Sequence, residues 1–174
     1  MSLASGGMVA WWRDLQPDPD KKKPGDRAAL ARLRRCATVA EAMQEPAAIV
    51  LFRLGGGQGM DDLSAAGLAA AVLAHVREDD PGVAVARRIG PDSTGTPETA
   101  LMKPLRFRRL LDAATPDERL TAFRRLVALA KDKVNVRDLA AALARWDEGR
   151  RTRWVYEYWN AGQPAAPHAE ETTP

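Results

Sequence analysis

Cysteine and histidine are almost missing from this chain, which has one Cys and two His in 174 residues. Cys36 cannot form an internal disulfide. No Cys/His set stands at zinc-ligand spacing, and no histidine lies near Cys36 in sequence to activate it as a nucleophile. Gly-x-Ser-x-Gly and His-Glu-x-x-His are both absent. No apolar stretch reaches the length of a membrane span and no charged-then-apolar leader opens the chain, so a soluble, cytoplasmic protein is expected. These gaps argue against an enzyme and give no residues to a cofactor or a metal. The clustered acids Asp61, Asp62, Glu78, Asp79 and Asp80 are expected at helix ends as solvated or capping groups.

What the chain has is positive charge in one place. Residues 100–160 carry 14 Lys and Arg against 8 Asp and Glu, residues 1–99 carry 12 against 13, and the tail carries none against 2. The excess of cations is therefore confined to the segment opened by Leu105-Arg106-Phe107-Arg108-Arg109-Leu110-Leu111. Clustered arginines without matching carboxylates suit a polyanion, because bidentate guanidinium-phosphate contacts release condensed counterions. The alternative is a solvated basic face. A bias toward Arg and Ala codons would enrich both halves alike, so the asymmetry favours phosphate.

The hydrophobic pattern is helical nearly throughout, and the fold class is all-α. Met8 to Leu15 forms a short amphipathic helix with Trp11 and Trp12. Asp26 caps Arg27 to Cys36, whose Leu30 and Leu33 face inward and whose Arg27, Arg32, Arg34 and Arg35 face largely outward. Thr38 and Glu41 read as a capping box, and Pro46 opens a helix from Ala47 to Leu54. Ile49 to Leu54 followed by Gly55-Gly56-Gly57-Gln58-Gly59 imitates the strand and glycine loop of a dinucleotide site. The third glycine of that motif would fall at Met60, and Asp61 and Asp62 stand where a phosphate would sit. The glycines are expected to be a flexible connector. The next helix, Asp61 to Arg77, is buried through Leu63, Leu68, Val72, Leu73 and Val76, with His75 packed or half-exposed.

Gly90 to Pro97 is rich in Pro, Gly, Ser and Thr, which divides the chain. The expected organisation is an N-terminal helical unit at 8–81, a flexible linker at 82–99, a basic antiparallel helix bundle at 100–160 and a disordered tail at 161–174. In the bundle, Leu101 to Ala113 is one helix. Thr115-Pro116-Asp117-Glu118 starts the next, to Lys131, and Asn135 caps Val136 to Trp146. Arg150 to Trp159 closes the unit. Its aromatics could stack on bases but sit at core spacing. Arg106, Arg108, Arg109, Arg124, Arg125, Arg150, Arg151 and Arg153 are too costly to bury and are the candidate nucleic-acid-binding residues.

The order of these motifs is familiar. Trp11-Trp12, Gly25-Asp26-Arg27 through Arg34-Arg35-Cys36, Phe52-Arg53-Leu54, Arg106 to Leu111, Arg124-Arg125-Leu126, Val134-Asn135 and Trp154 to Trp159 together resemble the small subunit of the type I-E CRISPR Cascade complex, the CasB family. The resemblance covers about residues 8 to 160, and residues 82–99 align poorly. It implies a non-enzymatic helical subunit present as two copies that contact each other, the Cascade backbone subunits and the large subunit. It further implies that the basic faces help hold the target strand, paired with guide RNA, and the displaced single-stranded DNA of an R-loop. The rival reading is a protein-protein adaptor whose basic face docks an acidic partner. A helix-turn-helix repressor would need exposed polar base readers, and helix 136–146 has almost none.

Overall fold

The computed structural model describes residues 2–163. The remaining tail, 164–174, lies outside the described residues. The helices are α1 (Ser5–Leu15), α2 (Arg27–Arg35), α3 (Val39–Met43), α4 (Pro46–Leu54), α5 (Met60–Leu73), α6 (Val85–Ile89), α7 (Pro104–Asp112), α8 (Pro116–Leu129), α9 (Val136–Ala144) and α10 (Glu148–Tyr158).

Many of their starts follow from the capping chemistry in the sequence. Asp26 accepts from the Ala29 amide, Thr38 from Glu41, Asn135 from Asp138 and Asp147 from Arg150. At α8, Thr115 and Glu118 form a reciprocal capping box with Pro116 in the first turn. Glu118 is held below the usual carboxylate range because the Ala114 and Thr115 amides donate to it.

Helix α5 is the central post. From Ala66 to Leu73 every residue is buried. Its small side chains let α2, α3, α4, α8 and α9 close around it. Helix α1 also bridges the halves, touching α4 and α9. Trp11 donates to the Ala47 carbonyl at 2.8 Å and Trp12 to that of Val76 at 3.0 Å, so both indoles are buried with their N–H groups satisfied. Ile49 to Leu54 lies in helix α4, not in a strand. The glycines after it do more than connect. Gly56 takes φ +72°, and a side chain at Gly57 would meet the Phe52 ring at 2.2 Å.

One hydrophobic core runs from Leu3 to Tyr158 through both halves. The segment 82–99, expected as a flexible linker, contributes to it through α6, with Val85, Ala86 and Ile89 fully buried. Gly90 passes so close to the Tyr158 carbonyl that a Cβ would lie 2.1 Å from its oxygen. Arg87 closes the same junction, donating to the Tyr158 carbonyl at 2.9 Å and to that of Pro91. A five-residue helix shows too little periodicity to stand out beside the Pro- and Gly-rich residues that follow it.

The sequence pattern predicts no strands, yet two residues on each side pair. Strand β1 (Glu78–Asp79) lies parallel to β2 (Lys133–Val134), with Glu78 opposite Lys133 and Asp79 opposite Val134. This short pair ends the expected helix at Leu73, before Arg77, and it also ends α8 before Lys131. The return is made through left-handed Lys131 (φ 57°) and Asp132 (φ 61°). No helix among the described residues is long and apolar enough to cross a membrane.

Candidate nucleic-acid interface

Helices α7 and α10 carry six of the eight expected arginines, and aromatic packing fixes them to each other. Phe107 of α7 stacks on Tyr158 of α10 at 3.9 Å between ring centres and 4° between planes. The Tyr158 hydroxyl donates to the Met102 carbonyl at 2.7 Å, and burial pushes its pKa up to about 12. Behind them Phe123, Trp146 and Trp154 meet edge to face, with centroid distances from 5.0 to 5.8 Å. Five bundle aromatics are thus core, as their spacing suggested, and Tyr156 is exposed.

With Phe107 and Leu110 turned inward, Arg106, Arg108 and Arg109 occupy the exposed remainder of α7. Arg125 is exposed on α8, and Arg150 and Arg151 are half-buried on α10. Among the described residues none of these six is in an ion pair. Arg153 is different, because its Nε lies 2.8 Å from Glu157 Oε1 and that carboxylate raises its pKa.

Arg124 does not face solvent with its neighbour. Its Nε donates to the Ala71 carbonyl at 3.2 Å, Nη1 to that of Cys36 at 2.6 Å and Nη2 to that of Leu33 at 3.0 Å. One guanidinium therefore bonds carbonyls at the ends of α2 and α5, including that of Leu33, which also accepts from the Cys36 amide. Arg34 does the same for Ala74 at 2.6 Å. Desolvation lowers the pKa of both. It also pushes His75 down to about 4, helped by Arg124 and Arg34. Cys36 is buried, and its thiol is pushed up first by burial and then by Glu45 and Glu41.

Two arginines that the charge count did not single out join the basic set. Arg137 of α9 lines a groove with Arg150 and Arg153. Arg119 of α8 donates from Nε to the Ala113 carbonyl at 3.2 Å, and burial, then the charge of Arg151, lowers its pKa while Glu118 opposes. Their signal was position: both sit in the first turn of a well-capped helix that packs on the core. No group of three or more His, Cys, Asp or Glu that could hold a metal ion occurs among the described residues.

These features define a class: a predominantly helical, single-core protein whose C-terminal helices carry surface arginines. The profile of the family described as CRISPR-associated protein Cse2 matches residues 29–159, and the chain belongs to that family, the small subunit of type I-E Cascade. No curated protein matches the chain in sequence. In shape, 91% of the chain matches 97% of a chain in the crystal structure of E. coli Cascade bound to a PAM-containing dsDNA target, with a TM-score of 0.62 and 18% identity. At that identity the likeness establishes the fold.

Proposed function

We propose that this chain is a non-catalytic nucleic-acid-holding subunit of an RNA-guided DNA surveillance complex in the cytoplasm. Its outward arginines contact phosphates of the target strand and of the displaced strand, and sequence is read by the guide RNA. The observation that supports this reading most is the set of six arginines on α7, α8 and α10 that have no ion-pair partner among the described residues. Surface arginines not needed for folding and not neutralised at home suit a partner that brings its own anions. Forming a heteroduplex nearly balances the duplex lost, so a few backbone contacts of this kind tip an R-loop toward opening.

Titration of the full chain with labelled single- and double-stranded oligonucleotides over a range of salt tests the reading. Log affinity should fall linearly with log salt, any sequence should compete, and Mg²⁺ should bring no cleavage. Absence of binding at low salt would leave the adaptor reading. Exposed apolar residues on α4 and at the start of α5, Val50, Leu54 and Met60, suit protein contacts within the same assembly, either with the other Cascade subunits or with a second copy.

A further inference from the structure

A cleft of about 270 Å³ opens where the first turns of α5 and α8 meet the end of α9. Its floor is apolar, formed by the nearly buried Leu68, Leu143 and Trp146. The Trp146 ring is held in place by perpendicular contacts to Phe123 at 5.2 Å and Trp154 at 5.0 Å. Ala65 and Ala144 line the sides, and their small side chains leave the space open. The volume falls just below the roughly 300 to 1,000 Å³ typical of small-molecule pockets, so it has room for one flat ring system and not for a whole cofactor.

The rim is charged unevenly. On the α8 side stands Arg119, whose Nε is anchored on Ala113 while its terminal nitrogens have no partner among the described residues. Among the described residues Arg119 forms no ion pair. A guanidinium with free terminal nitrogens offers a planar fork to a phosphate. On the α5 side stand Asp61 and Ser64. Asp61 repels a phosphate from that edge and can accept from an amino group.

We infer that this cleft seats one unstacked base of a single-stranded nucleic acid, with the adjoining phosphate on Arg119. The inference rests on the phosphate-binding reading and adds to it a seat the size of a base. Every base offers a flat face to the apolar floor, so the seat tolerates sequence. Asp61 and Ser64 favour bases with an exocyclic amino group, such as cytosine and adenine, over thymine.

Fluorescence anisotropy with the full chain decides it, comparing an oligodeoxycytidine with the same backbone carrying no bases. The baseless strand should bind about tenfold more weakly at equal salt, in line with the contribution of a base-aromatic contact. Ala144→Leu, which fills the cleft from a half-buried position, should weaken binding of the intact strand by a similar factor and remove the difference between the two strands. Its salt slope should stay that of the unmodified chain. Equal binding of both strands by the unmodified chain, with a normal salt slope, overturns the base seat and leaves phosphate binding in place. So does an Ala144→Leu variant that weakens both strands alike. Failure to bind either strand at low salt overturns the phosphate-binding reading itself, and the seat with it. If Ala144→Leu does not fold, the two strands on the unmodified chain still decide.

Discussion

Two groups of arginines in this molecule have opposite physical roles. At the seam between α2, α5 and α8, Arg34 and Arg124 point inward and donate to backbone carbonyls. On α7, α8 and α10, the exposed Arg106, Arg108, Arg109 and Arg125 and the half-buried Arg150 and Arg151 have no ion-pair partner among the described residues. Arg124 and Arg125 are adjacent in sequence and belong to different regions. The inner set is part of the fold, since removing it takes donors from the carbonyls of Ala71, Ala74 and Cys36. The outer set is expected to leave the fold indifferent and is proposed to be open to a partner. Residue type therefore says little about an arginine here, and its place on the helix says most.

The sharpest way to break this comparison is to remove the outer set together. Replacing those six arginines with Gln should leave the circular dichroism helical and flatten the salt dependence of oligonucleotide binding. Each lost single-strand phosphate contact should reduce the magnitude of the slope by about 0.7. Affinity at low salt should fall by two orders of magnitude or more. An unchanged slope and affinity would make the outer set a solvated face.

Arg124→Ala tests the inner set. It leaves the carbonyls of Cys36 and Ala71 without their donor in a half-buried seam and Leu33 with the Cys36 amide alone. At about 1 to 3 kcal/mol for an unsatisfied buried group, the total loss should be about 3 kcal/mol, read as a lower urea midpoint with an unchanged slope. Arg125→Ala, one residue away, should stay within about 0.5 kcal/mol. Equal losses in the two variants would erase the distinction.

Much of this was legible in the sequence. The caps at Asp26, Thr38, Thr115 and Asn135 place helix starts, and the stripe of Leu120, Phe123, Leu126 and Val127 places the core face of α8. Arg124 was legible in principle too. It lies four residues after Leu120 and three before Val127, on the buried stripe, and Arg34 stands in the same relation to Leu30. Charge counting along the chain hides this, because it averages over the faces of a helix. Residues 82–99 were not legible, since the placement of α6 depends on a long-range fit of Gly90 and Arg87 against Tyr158. The strand pair of two residues each was also invisible, because its pattern is too short to repeat. The cleft over Trp146 needs three helices to meet and has no local signature.

Acid sharpens the comparison through His75, which sits within the inner set. Burial, Arg124 and Arg34 hold its folded pKa at about 4, and Arg77 adds to them while Asp132 opposes. The unfolded value is about 6.5. The unfolded chain therefore binds the proton first, so stability is unaffected above about pH 6.5 and falls as pH drops from there toward 4. The urea midpoint should fall between pH 7 and pH 5 in the unmodified chain and fall less in His75→Leu. Equal falls would mean that other groups carry the acid sensitivity of the seam.

The smallest effect expected is on the outer set taken one at a time. Arg106→Gln, Arg108→Gln and Arg109→Gln each remove a charge from the exposed side of α7, where Phe107 and Leu110 supply the anchoring contacts. No ion pair is lost, and Gln has nearly the same helix propensity as Arg. Unfolding free energies should stay within about 0.5 kcal/mol of the unmodified chain, and neighbouring cations relieved of repulsion should make some of the changes slightly favourable. Single substitutions should still lower oligonucleotide affinity, more at low salt than at high. A loss of stability above about 1 kcal/mol in any of the three would show that the side chain supports the fold. That arginine would then belong with Arg124 and could not be counted as open to a phosphate.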